Sequence, residues 1–420
     1  MLETIRWAHN PMKKKAALGS ATTLFSRDEI LAAKKFHSSF PQYCPTPLCS
    51  LPCLAQQLGV AGIYIKDESC RFGLNAFKVL GGAYAIARYM AERLQRNINE
   101  LSFAELASPH TKEKLGEITF VTTTDGNHGR GVAWTARQLG QKAVVYMPKG
   151  SSLYRLQAIR QEGAQAYITD LNYDDTVRFA ADVARRYGWV VVQDTAWEGY
   201  QEIPAWIMQG YGTLAAEALE QLNTLNIAKP SHIFVQAGVG SLAGAVQGYF
   251  TDCFGQERPV MTIVEAAKAD CFYQSVLAGD GHPHAVGGAM ETIMAGLACG
   301  EPNILGWRIL RDYGDFFAAC PDWIAANGMR ILGNPCGADP RIISGESGAV
   351  TLGLLHHLLT GENTQEIRSE LGLNHQSVLL LFSTEGNTDP ECYRNIVWHG
   401  ECAAATCEHD TNFGNEMAGN

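Results

Sequence analysis

Residues 118–148 read ITFVTTTDGNHGRGVAWTARQLGQKAVVYMP. ITFVTT (118–123) is a short β-rich run, GRGVAWTARQLG (129–140) has helical periodicity and a closing glycine, and KAVVYMP (142–148) is strand-like again. Two strands joined through a helix of that length form a parallel βαβ unit. The alternation runs on through helix SLYRLQAIRQEG (152–163), strand AQAYITD (164–170), helix YDDTVRFAADVARRYG (173–188) and strand WVVVQDT (189–195). These four strands predict a compact lobe.

A second series flanks the first. SHIFVQAG (231–238), MTIVEA (261–266) and SVLLLFST (377–384) read as strands, and SLAGAVQGYF (241–250) and GAVTLGLLHHLL (348–359) as helices. Upstream, AGIYIKDES (61–69) is a strand and KVLGGAYAIARYMAERL (78–94) a helix. Residues 268–343 are rich in glycine and proline and resist assignment. The expected organisation is a discontinuous large domain, residues 1–109 plus 198–420, carrying a small inserted α/β domain, residues 110–197.

A chain of 420 residues exceeds one small core, and 46% hydrophobic with 18% charged residues is ordinary for a soluble globular protein. The net charge of −10 argues against nucleic-acid or anionic-membrane partners, because no basic surface could gather phosphates. Lys13, Lys14 and Lys15 read as a solvated arm. No window approaches a membrane span, and the N-terminal residues lack the apolar core of a secretory signal. Twelve scattered cysteines without zinc-type spacing suggest a reducing cytoplasm and give no metal site.

In open parallel sheets, ligands bind at the carboxyl ends of strands. Thr124-Asp125-Gly126-Asn127-His128-Gly129, Asp194, AGVGSLAG (237–244) and Ser383-Thr384-Glu385-Gly386-Asn387 all fall at such ends. Four clusters on one edge point to a single site. Singly, each is weaker. AGVGSLAG suits a phosphate through its amides and helix dipole, but also a Rossmann dinucleotide loop or a plain tight turn. Glu265, at a strand end, keeps the dinucleotide version open. Asp125 and Asp194 are equally readable as helix caps, and His128 as a satisfied loop histidine.

Lys78 lies between Phe77 and Val79, where an apolar helix begins. A snorkelling surface lysine is the plain alternative. A helix start disfavours a cation, and an apolar setting adds to that. Together they would lower the amine pKa and make it nucleophilic, as a Schiff-base lysine requires. Gly81 and Gly82 suit close helix packing.

In this order, Ala76-Phe77-Lys78, Asp125-Gly126-Asn127-His128, Gly238 to Ser241 and Thr384-Glu385-Gly386-Asn387 resemble the signature of the fold type II pyridoxal-phosphate enzymes. That group includes the threonine and serine dehydratases, serine racemase and tryptophan synthase β. KDESCRFGLNAFKVLGGAYA, TTTDGNHGRGVAW, DTAWEGY, ADPRIISGESGAV and STEGNTD look more closely like the blocks of the diaminopropionate ammonia-lyase family. The resemblance implies a tryptophan synthase β-like α/β fold with two three-layer αβα domains and mainly parallel sheets. It also implies a homodimer and elimination of both enantiomers of 2,3-diaminopropionate to pyruvate and ammonia through an aminoacrylate.

By the same resemblance Lys78 holds pyridoxal 5′-phosphate beside Phe77. The amides of Gly238, Val239, Gly240 and Ser241 take its phosphate, Asn127 its 3′-oxygen, and Thr384 faces the pyridine nitrogen. Thr124 and the backbone of Gly126, Asn127 and His128 would bind the substrate carboxylate. Lys78 and Asp125 would serve as bases on opposite faces, and Asp194 as partner of the distal ammonium. Glu346 is as readily structural. Two departures stand out: Ala76 and Asp125 replace serines of the wider group, and a carboxylate at 125 is a stronger base that also attracts ammonium. A serine or threonine dehydratase is the nearest rival; a nucleotide-binding oxidoreductase and a non-catalytic cofactor binder are more remote.

Overall fold

The computed structural model describes residues 4–15, 23–124 and 126–403. Strands β1 (Arg6–His9), β2 (Leu48–Ser50), β3 (Gly62–Asp67), β8 (His232–Gln236), β9 (Val260–Ala266), β10 (Phe316–Cys320) and β11 (Val378–Ser383) build one sheet in the order β1-β10-β9-β8-β11-β3-β2. Its five central strands are parallel, and β1 and β2 close the edges antiparallel. The second sheet is wholly parallel, ordered β6-β5-β4-β7 from β4 (Thr119–Thr123), β5 (Lys142–Met147), β6 (Gln165–Ile168) and β7 (Val190–Val191). Helices cover both sheets, as buried parallel sheets require. Among the described residues no helix is long and apolar enough to cross a membrane.

Three helices meet behind the site: α1 (Val79–Arg93), α2 (Asn127–Gln138) and α3 (Glu202–Thr224). Their approach is set by glycine. A Cβ on Gly81 would stand 2.5 Å from the Tyr211 ring of α3, and one on Gly131 of α2 would stand 2.7 Å from the Val79 Cα. Helix α1 thus joins the two sheet systems at the residue that follows Lys78.

Several elements differ from the sequence expectation. WVVVQDT forms only a two-residue strand. After Val192 N donates to Val121 O at 2.9 Å, the side-chain oxygen of Gln193 substitutes for backbone and accepts from Thr123 N at 2.9 Å. The Tyr200 hydroxyl accepts from Gln193 N and donates to Val191 O, both at 2.9 Å, so the chain leaves the sheet and delivers Asp194 into the interior. Helix α3 has no counterpart in the sequence reading, because burial nearly all round leaves it no polar stripe. The unassigned 268–343 region contains β10 and the helices Cys271–Ala278, Ile304–Tyr313 and Asp322–Gly333. FFAAC is a fully buried strand without alternation, which periodicity does not detect.

Candidate active site

Lys78 precedes α1 by one residue in a right-handed helical conformation. Its segment is tied to the end of β11: Phe77 N donates to Thr384 O at 3.1 Å, and Ala76 forms an antiparallel bridge with Glu385. Phe77 also packs on Tyr211, ring centroids 4.7 Å apart. Two sequence motifs some 300 residues apart are therefore one piece of structure.

Lys78 Nζ lies 2.9 Å from Asp194 Oδ2, and the Asp194 side chain is only 2% exposed. Burial alone would raise that carboxyl, but the Lys78 ammonium beside it and the nearby His128 ring pull the other way and hold it down at about 2. Tyr211 Oη donates to the same oxygen at 3.4 Å. Asp194 is thus a carboxylate throughout the physiological range.

The glycine-rich turn leads into α4 (Ser241–Phe254), with Gly240 at φ +86°. A Cβ there would run into the Phe272 ring, and one on Gly238 would stand 2.8 Å from Gly296 O, so only glycine lets the turn close. No backbone carbonyl among the described residues accepts from the amides of Gly238, Val239, Gly240 or Ser241. Four such amides at a helix start form an anion cradle. The Ser241 hydroxyl donates to the Asp194 carbonyl and accepts from Asn303 Nδ2 at 2.7 Å, which couples the cradle to the buried carboxylate.

Lys78, Phe77, Asn127, Asp194, Gly238 to Ser241 and Thr384 line one cavity. Asn127 Nδ2 donates to Glu385 Oε2 at 2.6 Å, and Ser347 N donates to the other oxygen at 3.2 Å. Thr124, Gly126 and His128 are not among the lining residues. Thr124 Oγ1 accepts from Gly126 N at 2.9 Å and so shapes the loop from within. His128 is buried with Nε2 2.8 Å from Val192 O, behind the cavity wall. Gly126 borders a separate polar pocket, where the stem of Arg155 packs against it. Asp125 lies outside the described residues. Glu346 is buried, 3.9 Å from Arg155 Nη2, and borders a cleft of about 480 Å³ that reaches Lys78. Gln236, Tyr211, Asn303 and the side chain of Glu385 were not singled out in the sequence. Of these only Gln236, the last residue of β8 before AGVGSLAG, and Glu385, inside STEGN, carried a positional signal.

Residues 40–371 match the family model described as pyridoxal-phosphate dependent enzyme. Diaminopropionate ammonia-lyase of Salmonella typhimurium is 54% identical over 407 residues, 96% of this chain and all of that protein. The crystal structure of the Escherichia coli diaminopropionate ammonia lyase in complex with D-serine superposes with a TM-score of 0.89 at 51% identity, covering 95% of this chain and 98% of that one. The structure of the same enzyme in complex with an aminoacrylate-PLP azomethine reaction intermediate gives 0.87 over the same shares at 51% identity. The chain belongs to the pyridoxal-phosphate dependent enzymes, and its fold is that of fold type II. An amine, an anion cradle and a cavity hydroxyl, placed as found here, fit that cofactor. Within the class it belongs to the diaminopropionate ammonia-lyase family.

Proposed function

We propose that this chain is a pyridoxal-phosphate-dependent lyase that eliminates ammonia from D- and L-2,3-diaminopropionate to give pyruvate. The observation that carries this substrate is the buried, ionised carboxylate of Asp194 at 2.9 Å from Lys78. A distal ammonium needs such a partner; a hydroxyl leaving group does not. The kinship to enzymes of that name supports the same substrate.

When bound, pyridoxal phosphate supplies the electron sink that makes the substrate Cα acidic. The amides of Gly238, Val239, Gly240 and Ser241 would hold its phosphate, and the amine of Lys78 would anchor it. Asn127, oriented by Glu385, and Thr384 would fix the ring. Thr124 orders the loop by accepting from Gly126 N, which leaves the Asn127 and His128 amides at the start of α2 to receive the substrate carboxylate. The Lys78 amine, once released, takes the Cα proton of the L-enantiomer, and Asp125 takes that of the D-enantiomer. Asp194 holds the β-ammonium, which departs as ammonia with the electron pair of the broken C–N bond. The freed aminoacrylate tautomerises and hydrolyses to pyruvate.

The same reading includes a division into domains 1–109 plus 198–420 and 110–197, supported by the two separate sheets. It also includes a homodimer working in the cytoplasm, with a small amino acid as its partner and neither nucleic acid nor membrane. Pyruvate release from D- and L-diaminopropionate against D- and L-serine tests the function. Faster turnover of both diaminopropionates is expected; preference for serine would make the protein a dehydratase.

A further inference from the structure

Gln236 is the last residue of β8, 3% exposed, and its side chain enters the cofactor cavity beside Thr384. Its Nε2 lies 2.8 Å from Thr384 Oγ1, 2.9 Å from Ser347 O and 3.1 Å from Phe382 O. The two carbonyls are acceptors only, so they fix which end of the amide points at them. The reverse orientation would set an oxygen against two carbonyl oxygens and leave the amide hydrogens without acceptors. The amide nitrogen therefore faces Thr384, and it has no lone pair to offer. Gln236 Oε1 meets no partner among the described residues, consistent with an amide held by its nitrogen end.

Thr384 Oγ1 consequently cannot donate to Gln236. Among the described residues it donates to no other acceptor, and Thr384 lines the cavity. Its hydrogen is thus available only to a group inside the cavity, and that group must present a lone pair there. We infer that Gln236 is a positioning residue that sets the polarity of Thr384 and thereby holds the cofactor's ring nitrogen unprotonated. The inference rests on the proposed placement of that nitrogen at Thr384. It adds a residue outside the motifs, and a cause: two main-chain carbonyls, through one amide, select the proton state at the far end of the ring. An unprotonated ring is the weaker electron sink, so the elimination is favoured over side reactions that need a longer-lived carbanion, transamination among them.

Gln236→Glu is the discriminating variant. A carboxyl in place of the amide sits protonated against the two carbonyls and donates its one hydrogen to Ser347 O or Phe382 O. This leaves an oxygen to accept the Thr384 hydrogen, which turns the Thr384 lone pair toward the ring and favours the protonated nitrogen. The measurement uses holoenzyme reconstituted with pyridoxal phosphate isotope-labelled at the ring nitrogen, whose NMR shift reports protonation directly. The parent should show an unprotonated nitrogen and Gln236→Glu a protonated one. Pyridoxamine phosphate accumulating with substrate should rise about tenfold, the equivalent of one hydrogen bond. A protonated nitrogen in the parent, or the same shift in both proteins, overturns the inference while leaving a yellow, covalently loaded enzyme. A parent that takes up no cofactor at all sinks the functional reading itself. Should Gln236→Glu not load, Gln236→Met removes the fixed donor at similar size. A nitrogen shift moved toward the protonated value then supports the inference, and an unmoved one overturns it.

Discussion

At the scale of single residues, the site is organised around one ion pair. Lys78 and Asp194 arrive from different sheets and meet at 2.9 Å inside a cavity. Asp194→Asn removes a buried, charge-assisted bond to Lys78, so it should destabilise the cofactor-free protein by about 1.5–3 kcal/mol near neutrality. The folded-state pKa of Asp194, about 2, lies below the ordinary 3.8. The stabilisation is therefore complete above the unfolded value and lost as pH falls through the folded one. Denaturant titrations should give a parent-to-variant difference that is flat above about pH 5 and shrinks as the pH falls below about 4. A difference that persists undiminished at the acid end would contradict the pairing. Lys78→Ala should bind no cofactor covalently, read as the absence of borohydride-fixed yellow colour. Asp125→Asn should abolish turnover of D-diaminopropionate, by about 100-fold or more, and spare part of the L-activity. Equal losses on both enantiomers would refute the assignment of faces.

At the scale of elements, precision comes from helices packed closer than side chains normally allow. Gly131 of α2 sits so close to Val79 of α1 that a methyl would meet main-chain atoms at 2.7 and 2.9 Å. Backbone cannot rotate away as a side chain can. Gly131→Ala should therefore cost about 1–3 kcal/mol and shift the start of α1, where Lys78 is held. Thermal unfolding measures the first effect and weakened cofactor affinity the second. An unchanged melting temperature would show that α1 and α2 slide apart freely. The early end of β7 belongs to the same scale. Gln193 and Tyr200 replace strand pairing with side-chain bonds, and this lets Asp194 leave the sheet at the depth of the cavity.

At the scale of the molecule, the cavity lies where the two sheets meet, so whatever fills it ties them together. Asn127 and Asp194 come from the side of the small sheet, and Lys78, Thr384 and the glycine-rich turn from the large one. Outside the cavity Ser152 Oγ also reaches Asp389 Oδ2 at 2.9 Å across the cleft. A ligand bound only by the folded state stabilises it by mass action, about 2.7 kcal/mol at a hundredfold excess over its dissociation constant. Adding pyridoxal phosphate to cofactor-free protein should raise the melting temperature as a single transition covering both sheets. Two transitions, with only one moving, would mean that the sheets unfold independently.

The sequence by itself determined the βαβ alternation, the strand-end clusters and their order, because periodicity and turn chemistry are local properties. Lys78, Asp194, the Gly238 to Ser241 turn and Thr384 could be named from it since each lies at a strand end or helix start. Only the tertiary structure decided that Asp194 pairs with Lys78 and that His128 turns behind the wall. It alone brought the Glu385 carboxylate to Asn127 and the Gln236 amide to Thr384. Those partners lie between about 110 and 260 residues apart in the chain, or take their geometry from main-chain atoms of other elements. Helix α3 and strand β10 escaped the sequence for a related reason: fully buried segments carry no alternation between polar and apolar faces.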